Sequence, residues 1–264
     1  MSIPPLAEII RNRSWIRNSR PFPHVIAHNV FTVDFYRTLH QAFGRVLARG
    51  VSEGRATGRL SRNIVGYDAY GLSLDGRHPE FAIFLSRAWH DVLAGLFDVE
   101  ATGHINCGLH HHAPGSKDGW VHNDLNPGWF AELPTKDGIV PARHGLCNYT
   151  DGTRARPDIL VTRVVRAVAM IFYLGNGPSW TGIEGGTGLY ETWDRPVRKP
   201  DALIRPVDNS LLAFECTPLS FHSFIGSNQA PRNSVIMWLH RPMAEAVARW
   251  GERCIRMWPP RQRG

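Results

Sequence analysis

The first hundred residues contain two segments whose apolar residues recur with the period of an amphipathic helix. Residues 33–49 carry an aromatic residue or leucine at every fourth position and are followed by Gly50, a common helix stop. Residues 79–97 show the same period. Residues 54–71, between them, are rich in Gly, Arg and Ser and indicate a loop. We therefore predict that residues 1–100 are mainly helical and support a sheet formed farther along the chain.

From about residue 103 the pattern changes to short apolar segments separated by Gly, Pro, Asn and Asp. Segments of this kind and spacing are typical of strands in an antiparallel sandwich or barrel. The predicted strands are 104–110, 161–174, 188–191, 202–205, 210–215, 221–225 and 233–240. We therefore expect a mainly β fold with supporting N-terminal helices.

Residues 126–158 interrupt the succession of strands. The segment contains four prolines and little periodicity. A loop of this length inside a compact domain is usually a lid, a binding loop or a disordered segment. After the last strand, residues 244–264 predict a short helix followed by a mobile, basic end that contains proline.

Length and composition are those of a globular protein. The chain has 264 residues, of which 43% are hydrophobic and 20% charged. No apolar run approaches the roughly 20 residues needed to cross a bilayer, and the N-terminus lacks the apolar core of a secretory signal. The four cysteines are scattered without a C-x-x-C pair, which argues against a zinc ribbon or a redox motif. We expect a cytoplasmic protein with no membrane partner.

The net charge is +7, which invites the hypothesis of a nucleic-acid partner. The positive charge is nearly all arginine, however, and is spread over the whole chain without a basic run. Nucleic acid is therefore an unlikely partner. The oligomeric state is not indicated by the sequence.

A candidate metal site is formed by His122, Asp124 and His222. The first two are separated by one residue, and on an extended segment such positions project to the same side. His222 lies between apolar residues, where an imidazole without a partner would be poorly solvated. Two histidines and one carboxylate leave three coordination positions open, as in non-haem Fe(II) oxygenases. Taken singly, His122 and Asp124 suggest a hydrogen bond in a loop, because a chance H-x-D match is common in a chain with 13 histidines. His222 taken singly suggests a core histidine.

Arg232 follows His222 by ten positions, and Ser234 lies two positions farther. On a strand these two side chains share one face. A guanidinium beside a hydroxyl is a good binding site for a carboxylate, because arginine donates two parallel hydrogen bonds and serine a third. This order of residues makes the metal-site interpretation the better one.

Five segments between residues 104 and 240 together resemble the prolyl-4-hydroxylase-like branch of the Fe(II)/2-oxoglutarate-dependent dioxygenases. They occur in the order that this family shows, and they are HAPGSKDGWVHND, RAVAMIFYLGN, EGGTGLY, IRPVDNSLLAF and FHSFIGSNQAPRNSVIMWL. The chain departs from the family in the long gap between Asp124 and His222, and in Asn209, where glycine is usual.

The resemblance implies a double-stranded β-helix, a jelly-roll or cupin-like barrel, over residues 101–243 of a single catalytic domain, 1–264. It implies that the His122, Asp124 and His222 side chains bind Fe(II), and that Arg232 and Ser234 bind 2-oxoglutarate. O2 would be the second cosubstrate, with succinate and CO2 as products. Because the carboxylate ligand is present, hydroxylation is favoured over halogenation.

Four further residues are candidates for contact with substrate. Three consecutive histidines cannot all face one way on a strand, so His110 and His112 are the two that could lie near the site. Trp129 follows the first ligands closely. Arg166 would meet either the substrate or a carboxylate on a neighbouring strand.

The favoured substrate is a small molecule, such as an amino acid or a natural-product intermediate. A peptidyl side chain is the alternative within the same family. A nucleic-acid demethylase would carry a second arginine where Trp238 stands. From other classes, a non-catalytic cupin-like binding protein or a zinc hydrolase could use the same barrel, but neither would need the Arg232 and Ser234 pair.

Overall fold

The computed structural model describes residues 3–54, 58–62, 67–135, 137–177 and 180–256. Its α-helices are α1 Leu6–Ile9, α2 Val33–Leu47, α3 Arg87–Leu96 and α4 Met243–Trp250, and two 3-10 helices cover Pro79–Leu85 and Glu252–Cys254. The strands are β1 Ile16–Asn18, β2 His24–Ala27, β3 Val51–Ser52, β4 Leu60–Ser61, β5 Tyr70–Ser73, β6 Thr102–His112, β7 Pro127–Ala131, β8 Val140–Pro141, β9 Val161–Tyr173, β10 Thr187–Tyr190, β11 Ala202–Ile204, β12 Ser210–Glu215, β13 Phe221–Phe224 and β14 Arg232–Pro242.

Within the described residues, the strands form two sheets that face each other. The larger has eleven strands in the order β1, β2, β12, β9, β14, β6, β5, β4 and β3, with β7 paired to β9 and β8 to β6. The smaller has the order β11, β10, β13. Most neighbouring pairs are antiparallel, and only β3 with β4 and β6 with β8 are parallel. A cavity between the two sheets holds the site described below.

The alternation of side chains along β9 shows why the large sheet has two different faces. Met170 and Phe172 point to one side and pack in the main core, which contains the helices. Ala169, Ile171 and Tyr173 point to the other side and pack with residues of the small sheet. Because successive residues of a strand face opposite ways, one buried strand supplies both cores.

The helices cover the outer face of the large sheet. Helix α2 begins where residues 33–49 predicted it and contributes Leu39, Phe43 and Val46 to the main core. The prediction of a single helix over residues 79–97 is wrong, because the chain leaves helical geometry at Ser86 and forms a 3-10 helix before it and α3 after it. The Ser86 hydroxyl accepts a hydrogen bond from the Trp89 amide, which caps α3 and separates it from the preceding 3-10 helix.

The seven predicted strands are all present, with ends shifted by three residues or fewer. Five short strands, β1 to β5, accompany the N-terminal helices and were not predicted. Asn209 has a φ of 57°, in the left-handed region that asparagine tolerates better than most residues. Its side chain exchanges two hydrogen bonds with the backbone of Phe31. This geometry explains how asparagine fits at a position where the resemblance predicts glycine.

The 126–158 insertion packs onto the sheet rather than standing away from it as a lid. Its first part forms β7, and its middle part forms β8. Helix α4 confirms the short helix predicted after residue 244, whereas most of the basic end lies outside the described residues. Of the helices in the described part of the chain, none has the length and apolar character needed to cross a membrane.

Candidate metal centre and carboxylate site

Three side chains that are distant in sequence converge in the cavity between the sheets. His222 lies on β13, and His122 is joined to it by two backbone hydrogen bonds of 3.1 and 2.8 Å. This pairing places the two imidazole rings 4.3 Å apart, centre to centre. Asp124 completes the group, and the potential ligand atoms of the three residues all lie within 4.8 Å of one another. Such a set can coordinate one metal ion.

Both imidazoles are oriented by the backbone. Nδ1 of His122 lies 2.7 Å from the Trp120 carbonyl oxygen, and Nδ1 of His222 lies 3.1 Å from the Ser220 carbonyl oxygen. Because a carbonyl accepts only, each Nδ1 must carry the proton and donate it. Each ring therefore turns its Nε2 toward the Asp124 carboxylate, at 3.9 Å for His122 and 3.5 Å for His222. Metal-binding histidines are commonly held in this way.

The protonation states also suit a metal. Burial, and then the neighbouring His222, lower the pKa of His122 to about 3, so its ring is neutral at physiological pH. Burial alone would raise the pKa of Asp124, but the Arg166 guanidinium outweighs it and holds that pKa well below its ordinary value. A neutral imidazole and an ionised carboxylate are the forms that bind metal ions.

Two donors fix the Asp124 carboxylate. Arg166, on β9, donates from Nη1 to Oδ1 at 2.8 Å, and Trp238, on β14, donates from Nε1 to Oδ2 at 2.7 Å. The Arg166 guanidinium also lies over the Trp238 ring, 3.9 Å from its centre. Each carboxylate oxygen therefore has one ordered partner and keeps a lone pair that can face a metal.

A second cationic group lines the same cavity without a carboxylate partner. Arg232, at the start of β14, is 2% exposed. Its terminal nitrogens donate to the Ser234 hydroxyl at 3.3 Å and the Thr187 hydroxyl at 3.1 Å, and its Nε is buried without a partner. We call Arg232, Ser234 and Thr187 the carboxylate site. Among the described residues, no acidic side chain pairs with this guanidinium.

The cavity that joins the two groups has a volume of about 90 Å³. It is lined by residues of both sheets: Tyr67, His110, His122, Asp124, Arg166, Ala169, Ile171, Thr187, Phe214, His222, Ser223, Phe224, Arg232, Ile236 and Trp238. His110 contributes an Nδ1 that is buried without a hydrogen-bond partner. Burial, and then Arg232, lower the pKa of His110 to about 4, so this ring is neutral as well.

The structure brings together some of the sequence-predicted substrate residues and not others. His110 and Arg166 line the cavity. Arg166 was predicted to meet either the substrate or a carboxylate on a neighbouring strand, and its observed partner is the Asp124 carboxylate. His112 faces the same region, but its ring is stacked on Phe224 at 3.7 Å and its Nδ1 donates to the Asp68 carbonyl. Trp129 is not among the lining residues and packs with Ala131 in a separate cluster.

Sequence analysis did not assign a role to Thr187, Tyr173 or Trp238. The position of Trp238 at the site could have been predicted, because alternation along the strand from Arg232 places it on the same face as Ser234. Thr187 and Tyr173 share a hydrogen bond of 2.7 Å across the two sheets. Both residues lie in segments that carry the family resemblance. Their contact depends on how the two sheets pack, so the sequence alone does not predict it.

Comparisons with known proteins find the fold but no close relative. No protein-family model matches the sequence, and no curated protein sequence matches it. A prolyl-4-hydroxylase from Pseudomonas putida has a similar structure, with a TM-score of 0.52 and 16% identity over 83% of this chain and 92% of that one. A Trichoplax adhaerens prolyl hydroxylase, in complex with a hypoxia-inducible-factor peptide fragment, has a TM-score of 0.52 and 20% identity over 85% and 86%.

At these identities the likeness establishes the fold. It confirms the mainly β architecture with supporting N-terminal helices that the sequence predicted, and these helices are a minor part of the structure. The chain therefore has the double-stranded β-helix fold of the prolyl hydroxylases, and its cavity is lined by His122, Asp124 and His222 together with Arg232.

Proposed function

We propose that this chain is a non-haem Fe(II)/2-oxoglutarate-dependent oxygenase. His122, Asp124 and His222 would hold Fe(II), and Arg232, Ser234 and Thr187 would bind the far carboxylate of 2-oxoglutarate. The observation that carries the proposal is the buried guanidinium of Arg232, which opens onto the cavity of the metal site with hydroxyl groups as its hydrogen-bond partners.

The physical reason is the cost of a buried charge. An ionised group taken out of water without a counter-ion is strongly unfavourable, and proteins normally pair it or use it to bind a ligand. A dicarboxylate can meet this demand and still direct its other end toward the metal. A zinc hydrolase or a non-catalytic barrel has no such requirement, so Arg232 favours the oxygenase over both.

The chain's own residues have separable tasks in this chemistry. Bound Fe(II) would supply the site at which O2 and 2-oxoglutarate react to oxidise the substrate, with succinate and CO2 as products. Arg166 and Trp238 keep the Asp124 carboxylate ionised and fixed. Phe214 and Phe224 form apolar walls that limit the access of water to the reacting groups.

We further propose that the substrate is a small molecule and that the oxidation is a hydroxylation. The cavity is small and partly walled by aromatic residues, and β7 of the 126–158 insertion is hydrogen-bonded to β9 as part of the sheet. His110 lines the cavity with an Nδ1 that is buried without a hydrogen-bond partner, and it would contact the substrate. A peptidyl side chain is the alternative substrate. It is supported by the structurally similar Trichoplax adhaerens prolyl hydroxylase, which is in complex with a peptide fragment.

The decisive experiment is anaerobic addition of Fe(II) and 2-oxoglutarate to the purified protein. We expect the visible charge-transfer band of an iron chelate, and we expect Arg232→Ala to need roughly 30-fold more 2-oxoglutarate to develop it. A folded, iron-loaded protein that never develops the band would contradict the proposal. Hydrolytic activity with Zn(II), without dependence on 2-oxoglutarate, would favour a zinc hydrolase.

The substrate class is tested by succinate release under air. A panel of free amino acids and other small metabolites is compared with proline-containing peptides at equal concentration. We expect stimulation of succinate release by a member of the first group, together with a product heavier by one oxygen atom. Stimulation by peptides alone would replace the small-molecule proposal and leave the oxygenase assignment in place.

A further inference from the structure

We propose that Tyr149, in the 126–158 insertion, is a positioning residue for the metal-binding carboxylate, which it holds in place through Arg166. This inference rests on the metal site proposed above. It assigns the insertion a structural task inside the active site, distinct from that of a lid.

The hydrogen bonds have a defined direction. Nδ1 of His240 lies 2.9 Å from the His104 carbonyl oxygen and must donate to it, which leaves Nε2 as an acceptor. The Tyr149 hydroxyl, 2.8 Å from that Nε2, therefore donates its proton to His240. Its oxygen is then an acceptor for Nε of Arg166, at 3.2 Å. Arg166 in turn donates from Nη1 to Asp124.

This relay determines how Arg166 presents its charge. The guanidinium is planar, and two of its nitrogens are held by Tyr149 and Asp124. Its face rests on the Trp238 ring, whose Nε1 holds the other carboxylate oxygen. A rotation of Arg166 would therefore disturb both partners of Asp124 together. Planar guanidinium groups give this kind of directional restraint, which a lysine would not.

The surroundings show that Tyr149 is fitted to this position. It is 6% exposed and packs edge-on against Phe130 of β7, with ring centres 5.5 Å apart. A Cβ at Gly128 would lie 2.4 Å from the Tyr149 ring, so only glycine leaves room for the ring beside β7. The Trp129 amide also donates to the Tyr149 carbonyl at 2.9 Å. The packing and the backbone hydrogen bond together hold the Tyr149 side chain in place within the insertion.

The experiment compares Tyr149→Phe with wild type, using Co(II) as the metal probe. Phenylalanine keeps the ring and its packing and removes only the hydroxyl. Tyr36→Phe is the control, because it removes a partly buried hydroxyl that accepts from the Gly175 amide on the helix side of the sheet. Co(II) affinity, the visible ligand-field spectrum of the bound ion and urea stability are measured for all three proteins.

We expect Tyr149→Phe to weaken Co(II) binding by about tenfold, as loss of a group supporting a metal ligand commonly does, and to shift the ligand-field bands. Tyr36→Phe should change neither. A lower stability with unchanged Co(II) affinity and spectrum would overturn the inference, because Tyr149 would then serve packing alone. Failure of the wild-type protein to bind Co(II) would instead refute the proposed metal site.

Discussion

Arg166 and Arg232 line the same cavity but are compensated in opposite ways. Arg166 pairs with the Asp124 carboxylate at 2.8 Å, and its side chain is 12% exposed. Arg232 is at least as well buried, yet its hydrogen-bond partners are the Ser234 and Thr187 hydroxyls. The first charge is balanced by the protein itself, whereas the second is left for a ligand to balance.

The difference separates a structural charge from a binding one. A buried ion pair is satisfied in the free protein, so loss of one partner mainly affects folding and the geometry of the other partner. A buried cation with neutral partners carries a cost that binding of an anion relieves, so its loss mainly affects the ligand. The expected effects of substitution therefore differ in kind as well as in size.

The largest effect should follow from Arg166→Ala. This change leaves Asp124 buried and ionised without its cation, which costs about 3 kcal/mol of unfolding free energy. Urea denaturation of the metal-free protein measures the loss. In the double variant with Asp124→Ala the loss should be less than the sum of the single losses, because neither charge remains. Strict additivity would show that the two side chains do not interact.

Arg232→Ala should have the next largest effect, and on the cosubstrate rather than on folding. Loss of charge-assisted hydrogen bonds is expected to weaken 2-oxoglutarate binding by about 2 kcal/mol, roughly 30-fold. Anaerobic titration with Fe(II) present measures this, and Co(II) affinity should remain that of wild type. Arg232→Lys keeps the charge but not the planar guanidinium, so its 2-oxoglutarate affinity should lie between those of wild type and Arg232→Ala. Unchanged 2-oxoglutarate affinity in Arg232→Ala would place the carboxylate site elsewhere.

The smallest effect is expected for Thr187→Val, which keeps the shape of the side chain and removes its hydroxyl. Both Arg232 and the Tyr173 hydroxyl lose a hydrogen-bond partner. We expect 2-oxoglutarate binding to weaken by about 1 kcal/mol, the usual value of one neutral hydrogen bond. The same titration detects it. An effect as large as that of Arg232→Ala would contradict this order and show that the Thr187 hydroxyl contributes as much to carboxylate binding as the guanidinium does.

Much of the site could be read from the chain because β-structure repeats with a period of two. His122 with Asp124 and Arg232 with Ser234 are each separated by one residue, and the two side chains of each pair lie together in the structure. The strands were predicted from a second local signal, because their apolar segments are short and bounded by turn residues. Trp129 shows the limit of such reasoning, since closeness in sequence to the ligands did not bring it to the cavity.

The partners that cross between sheets or segments were beyond sequence reasoning. Tyr149 and Arg166 are 17 positions apart, and Trp238 lies 114 positions from Asp124, yet each pair is hydrogen-bonded. The break at Ser86 was hidden for a related reason, because the apolar period of residues 79–97 runs through it unchanged. Local periodicity records which side of an element is buried but not what that side meets.

The sequence by itself determined which residues could bind a metal and a carboxylate, because ligand chemistry and strand alternation are local properties. Only the tertiary structure decided that one arginine is paired and the other is not. That distinction depends on which carboxylates come within reach when two sheets pack face to face. Local alternation says nothing about that distance.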